Sequence, residues 1–183
     1  MKLPLIKILD EKERILHKPS KDVTFPMDAS DKKMLKDMLT YLEMSQIDTY
    51  SKKYNLRPGM GLAFVQVGIP KRAFVICNEN DDGEFDKYII INPEIISMSE
   101  EMIYVGEGEG CLSVNREVDG IVPRHARITI KAYDEEGNEF TMRVREDLAV
   151  AFQHEIDHLN GILFTDHINP KCPFKDADNM REI

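Results

Sequence analysis

The segment His154-Glu155-Ile156-Asp157-His158 restricts this chain more than any other. Two histidines four residues apart act together only if the backbone is helical. On an α-helix they stand about 40° apart around the axis, so both imidazoles project from one face and can reach a single ion. Glu155 lies about 100° from His154, close enough to touch a water on that ion without taking a ligand position. The flanking residues agree. Glu146 to Asn160 reads as one helix, with Leu148, Phe152, Ile156 and Leu159 as its apolar packing surface and Gly161 placed to stop it. Ala151, three residues before His154, leaves room above the ion for a substrate side chain. Asp157 is either an orienting partner for a ligand histidine or plain surface.

The rest of the chain must supply a framework for that helix. Residues 1–26 read as extended and irregular, punctuated by Pro4, Pro19 and Pro26. From Ser30 to Ser45 an apolar stripe (Met34, Leu35, Met38, Leu39, Leu42) predicts an amphipathic helix with Ser30 as its N-cap, and its methionines read as core. A Gly-rich bend follows at Arg57-Pro58-Gly59-Met60-Gly61-Leu62-Ala63. Strands are expected at Arg72–Cys77 and at Tyr88–Asn92, the latter ended by Pro93. Residues 105–113 form a Gly-Glu loop. Arg127–Tyr133 and Glu139–Val144 read as two strands of a hairpin turning at 134–138. Strands in antiparallel runs, with helices toward either end, predict an α+β fold in one domain over 1–183: antiparallel sheets around a central C-terminal helix, plus an N-terminal amphipathic helix.

Composition narrows the function classes. With 24 Lys+Arg against 33 Asp+Glu the net charge is −9, which argues against direct nucleic-acid readout or an anionic-membrane surface. No run of about 20 apolar residues is present and no membrane span is expected. The residues from Met1 to Lys7 lack a signal-peptide core. Three cysteines without framework spacing fit a reducing compartment, so a cytoplasmic location is expected.

A catalytic metal site keeps a position open and needs a third protein donor beside two histidines. Cys77, within an apolar strand, reads as a small core hydrophobe, and Cys172 lies beside Pro173 in a loop. Cys111 is the best candidate, because the glycines of Glu109-Gly110-Cys111-Leu112-Ser113 let the backbone approach an ion closely.

With these residues in view the chain resembles the peptide deformylases, in their Gram-positive and mycoplasma-like branch. Three ordered segments carry the resemblance: Gly59-Met60-Gly61-Leu62-Ala63-Phe64-Val65-Gln66, Glu109 to Ser113, and Gln153-His154-Glu155-Ile156-Asp157-His158-Leu159. Val122-Pro123-Arg124-His125 and Asn160-Gly161-Ile162-Leu163-Phe164 extend it over nearly the whole chain. The family usually has alanine where this chain has Phe64, a ring that either reshapes the substrate pocket or points into the core.

The resemblance implies hydrolytic removal of the formyl group from nascent chains that begin with formylmethionine, releasing formate, on an enzyme that works near the ribosomal exit tunnel. Cys111, His154 and His158 would hold one divalent ion, iron(II) as the usual active metal with zinc, nickel or cobalt as substitutes. Glu155 would be the general acid/base, and Gln66 with the Leu112 backbone N–H would receive the oxyanion. Gly61 would offer backbone contact to the substrate, Val150 and Ala151 would line the methionine pocket, and Glu109 with Arg124 would support the site as an ion pair. Two other readings fit the same residues: a different metallohydrolase acting on unformylated peptides, and a binding protein that keeps the metal site without turnover.

Overall fold

The computed structural model describes residues 1–80 and 82–183. Its elements run α1 (Ala29–Gln46), α2 (Asp48–Tyr54), β1 (Gly61–Ala63), β2 (Ala73–Glu79), β3 (Phe85–Met98), β4 (Met102–Tyr104), β5 (Arg124–His125), β6 (Arg127–Tyr133), β7 (Glu139–Arg145), α3 (Glu146–Leu159) and β8 (Arg181–Glu182), with short 3₁₀ turns between them. Five strands form one antiparallel sheet in the order β1-β2-β3-β6-β7. A second sheet, β5-β4-β8, joins β4 antiparallel to β5 and parallel to β8.

Alternation along β2 separates two cores, as period-two side chains must. Phe74 and Ile76 face α3, in a cluster with Ile90, Ile128, Ile130, Val144, Phe152, Ile156 and Leu159. Ala73, Val75 and Cys77 face α1, whose Leu35, Met38 and Leu42 are fully buried on the same side. The large sheet is thus sandwiched between the two longer helices. Phe152 anchors α3 edge-on against Phe74, with ring centroids 5.3 Å apart. Burying such a side chain stabilises the fold by roughly 1.5–3 kcal/mol. No described helix is long and apolar enough to cross a membrane.

Two local expectations are corrected, and two elements carry no signal in the sequence. Asp28, in extended conformation, occupies the N-cap of α1, and Ser30 lies inside the first turn. Pro93 does not end its strand: β3 continues to Met98, and the register with β6 shifts between Ile91 and Glu94. At that bulge Asn92 has a φ of 49°, so the donor that proline lacks costs no ladder hydrogen bond. Helix α2 was not expected, because its seven residues bury none of their side chains and carry no apolar stripe. The small sheet was not expected either, since strands of two or three residues are too short to show alternation.

Candidate active site

Helix α3 carries its histidines where the 3.6-residue period puts them. The His154 and His158 rings lie 5.0 Å apart, centroid to centroid, on the face turned from the Phe152 core toward loop 105–113. That loop brings Cys111 within reach. The Cys111 sulfur and one nitrogen of each histidine all lie within 4.8 Å of one another. Cys111 Sγ and His158 Nε2 are 3.3 Å apart, near the roughly 3.5 Å edge of a tetrahedral site with Zn–S about 2.3 Å and Zn–N about 2.0 Å. The donor set and its spacing fit one divalent ion.

The surroundings set the donor chemistry. His154 Nδ1 lies 2.8 Å from Glu109 Oε2, and Arg124 grips the same carboxylate through Nε (2.7 Å) and Nη2 (3.0 Å). Burial works against charge on Glu109, but the bonds from His154 and Arg124 prevail and hold its carboxyl at about 2. Arg124 Nη1 donates to Asp157 Oδ2 at 2.6 Å, and His167 Nε2 sits 2.7 Å from the same oxygen. Asp157 therefore links the buried Glu109–Arg124 pair to His167, behind the Cys111, His154 and His158 cluster. Burial, with the positive charges of His154 and Arg124, holds His158 well below the usual histidine range, which suits a neutral imidazole ligand. Its buried Nδ1 has no hydrogen-bond partner among the described residues.

Glu155 is 3% exposed and its Oε2 has no partner among the described residues. Burial pushes its carboxyl up to about 7. The carboxylate lies against Gly61, where a Cβ would overlap it. Gln66 is equally buried. Its Oε1 accepts from the Ala63 N–H at 2.8 Å, which fixes the amide so that Nε2 points at Ser113 Oγ (3.1 Å) and Cys111 Sγ (3.5 Å). These groups share the end of one cavity of about 530 Å³, whose lining includes Gly61, Gln66, Glu109, Cys111, Leu112, Val150, Ala151, His154 and Glu155.

Nearly every residue singled out from the sequence converges on this cavity; Arg124 and His158 stand directly behind its lining. Phe64 does not approach it. Its ring is fully buried in the α1-facing core with Leu62 and Val75. Sequence reasoning passed over three contributors. Arg57 hydrogen-bonds the carbonyls of Cys111, Leu112 and Val114 from more than fifty residues away. Ser113 fixes the Gln66 amide. The N-terminal segment straps the two loops together through Leu9 N–H to Gln66 O and Glu11 N–H to Ser113 O, both 2.8 Å. Ser113 was visible within its motif; the other contacts are long-range and leave no local pattern.

A Cys-His-His donor set, a buried carboxylate beside it and amide donors across a cavity define a class: a hydrolase of amide-like bonds built around one divalent ion. Comparison with known proteins places the chain within that class. A profile described as Polypeptide deformylase matches residues 5–174. The chain is 48% identical over 157 residues to a peptide deformylase of Ligilactobacillus salivarius, covering 84% of each. It is 43% identical over 176 residues to peptide deformylase 2 of Bacillus anthracis, covering 96% of each. Among solved structures, the Thermotoga maritima peptide deformylase superposes with a TM-score of 0.72 at 32% identity, covering 91% of this chain and 99% of that one. The chain belongs to the polypeptide deformylase family.

Proposed function

We propose that this chain, as a single catalytic domain over 1–183, removes the N-terminal formyl group from formylmethionine of nascent polypeptides and releases formate. The observation that carries the reading is the convergence on one cavity of the Cys111/His154/His158 donors, the unpartnered Glu155 carboxylate and the Gln66 amide. A relative from Acinetobacter baumannii, 28% identical with a TM-score of 0.72 and matched over 91% of this chain and all of that one, is described with Met-Ala-Ser bound. Such a tripeptide is what deformylation leaves.

In this reading Cys111, His154 and His158 hold the ion. When bound, the ion supplies Lewis acidity, making water nucleophilic near neutral pH and drawing charge onto the formyl oxygen. Glu155 takes the proton of the attacking water and delivers it to the amine nitrogen as the C–N bond breaks; its buried carboxylate, unpartnered at Oε2 among the described residues, is free to do both. Gln66 Nε2 and the Leu112 N–H stabilise the oxyanion. Gly61 aligns the substrate backbone, and Val150 with Ala151 receives the methionine side chain. Glu109 and Arg124 keep His154 in the correct tautomer and orientation.

Iron(II) is the proposed resident ion, with zinc, nickel or cobalt as substitutes that a thiolate-imidazole set also accepts. The enzyme is proposed to act in the cytoplasm on chains leaving the ribosome, with α3 as the central element of its α+β domain. The test is a substrate panel on anaerobically purified, metal-analysed protein. Formyl-Met-Ala-Ser is expected to yield formate, with Met-Ala-Ser left intact. Cleavage of the unformylated peptide, or no formate with any divalent ion, would overturn the reading.

A further inference from the structure

The Leu112 N–H is useful as an oxyanion donor only if its peptide plane is held, and the turn that contains it is anchored from outside. In that turn the Val114 N–H donates to Cys111 O at 3.1 Å and the Ser113 N–H to Cys111 Sγ at 3.5 Å. The Leu112 N–H between them has no acceptor among the described residues. Across a trans peptide the C=O and N–H of one unit point in opposite directions. Whatever holds the Cys111 carbonyl therefore aims the Leu112 N–H.

Arg57 holds it. Nη2 of Arg57 donates to Cys111 O at 3.2 Å and also to Leu112 O, and Nη1 donates to Val114 O at 2.9 Å. The planar fork of guanidinium meets three carbonyls at once, which a lysine cannot do. The bend carrying Arg57 is itself pinned to α1. The Gly59 N–H donates to the buried Ser45 Oγ at 3.2 Å, and Gln46 Nε2 donates to Gly59 O at 3.0 Å and to Cys77 O at 2.8 Å. A charged donor on the carbonyl side also polarises the unit and makes its N–H a stronger donor.

We propose that Arg57 is a positioning residue for the deformylation reaction: by gripping the carbonyls of Cys111, Leu112 and Val114 it turns the Leu112 N–H into the cavity and strengthens it for the oxyanion. The proposal rests on the reading of Leu112 as an oxyanion donor. Arg57 acts through that peptide and need not touch substrate, although it stands on the cavity rim.

The experiment compares wild type, Arg57→Ala and Arg57→Lys with formyl-Met-Ala-Ser, at measured metal content. Loss of a whole oxyanion donor costs about a hundredfold or more in kcat, so loss of its orienter is expected to cost about tenfold in Arg57→Ala. KM is expected to stay within about threefold, because the interaction is made in the transition state. Arg57→Lys should fall between, keeping the charge without the fork. Millimolar guanidinium should restore part of kcat in Arg57→Ala, and methylammonium should not. In protein labelled with ¹⁵N-leucine, the Leu112 amide resonance should shift in Arg57→Ala and return with guanidinium, a readout that needs no turnover. Unchanged kcat, a rise confined to KM, a loss that tracks metal content, or an unmoved Leu112 resonance would each overturn the proposal. If wild type itself releases no formate, the functional reading fails, and the resonance still decides whether Arg57 sets the peptide plane.

Discussion

Nδ1 of His154 meets Oε2 of Glu109 at 2.8 Å, and that contact leaves the other ring nitrogen of His154 for Cys111 and an ion. Orienting partners of this kind are worth about 10–100-fold in metal affinity. Glu109→Gln is therefore expected to weaken metal binding by that factor, measured by competition with a chelating dye. It also strips Arg124 of its bidentate partner while leaving Asp157 in place. Breaking a buried pair costs about 3–5 kcal/mol, and the remaining carboxylate puts this variant at the lower end. Metal affinity equal to wild type would mean that the ring is oriented by something else.

Glu155 makes the opposite prediction, for activity rather than stability. Its buried Oε2 lacks a partner among the described residues, so the fold gains little from this carboxylate. Glu155→Gln is expected to keep its metal and to melt at or above the wild-type temperature. Its kcat should fall by about 10²–10⁴, the usual worth of a positioned acid/base. Formate release at the wild-type rate would remove Glu155 from the mechanism.

The sequence spoke clearly where a side chain's neighbours are close along the chain. His154, Glu155 and His158 follow from one helical period, and the hairpin of β6 and β7 from alternation around a turn. Cys111 stands out as a candidate ligand because its glycine-rich context makes it a poor core residue, and the structure brings its sulfur beside both histidines. What stayed hidden depends on contacts between distant segments. The 14-residue β3 runs through Pro93 because a bulge removes the need for its missing N–H, and no local pattern announces a bulge. The orientation of Phe64 depends on which side of the sheet α1 covers. Arg57 reaches a loop more than fifty residues away.

Two glycines separate function from folding. Gly61 has no side chain, which lets the Glu155 carboxylate lie against it; an added Cβ would meet the Glu155 side chain from Cγ to the carboxylate, and no backbone atom is among its nearest contacts. Gly61→Ala is expected to lower kcat at least about tenfold through misplacement of the acid/base, with metal content and melting temperature nearly unchanged. Gly161 has a φ of 75°, and its Cβ would meet the Lys18 backbone nitrogen at 2.6 Å. Gly161→Ala should cost about 1–3 kcal/mol in denaturant unfolding from strained backbone and forced displacement, with normal turnover per folded molecule. The reverse pattern, Gly61→Ala unstable but active, would show that the close approach serves packing alone.

The three thiols report on three environments. Cys172 is exposed, and Cys77 is buried, with burial pushing its thiol up to about 11. Thiolate is the reactive form, so at pH 8 Cys77 is both inaccessible and protonated. In metal-loaded protein a disulfide-exchange reagent should titrate Cys172 rapidly and spare the other two. Chelation should add Cys111 as a second reactive thiol. Cys77 should appear only after unfolding in denaturant. Rapid reaction of Cys111 in metal-loaded protein, assigned by peptide mass mapping, would contradict its role as a ligand.

Phe64 is the position where this chain departs from the usual alanine, and its ring lies in the core rather than against substrate. It is fully buried with Leu35, Met38, Leu42 and Val75, on the side of the sheet opposite α3. The ring therefore adds packing beneath the Gln66 bend without narrowing the cavity beside Val150 and Ala151, where the methionine side chain is proposed to sit. Phe64→Ala empties that volume, and substitutions of this kind cost about 3–5 kcal/mol. The expected result is a large drop in melting temperature, with KM for formyl-Met-Ala-Ser unchanged at temperatures where the variant stays folded. A fall in KM with little loss of stability would mean that the ring obstructs the pocket after all.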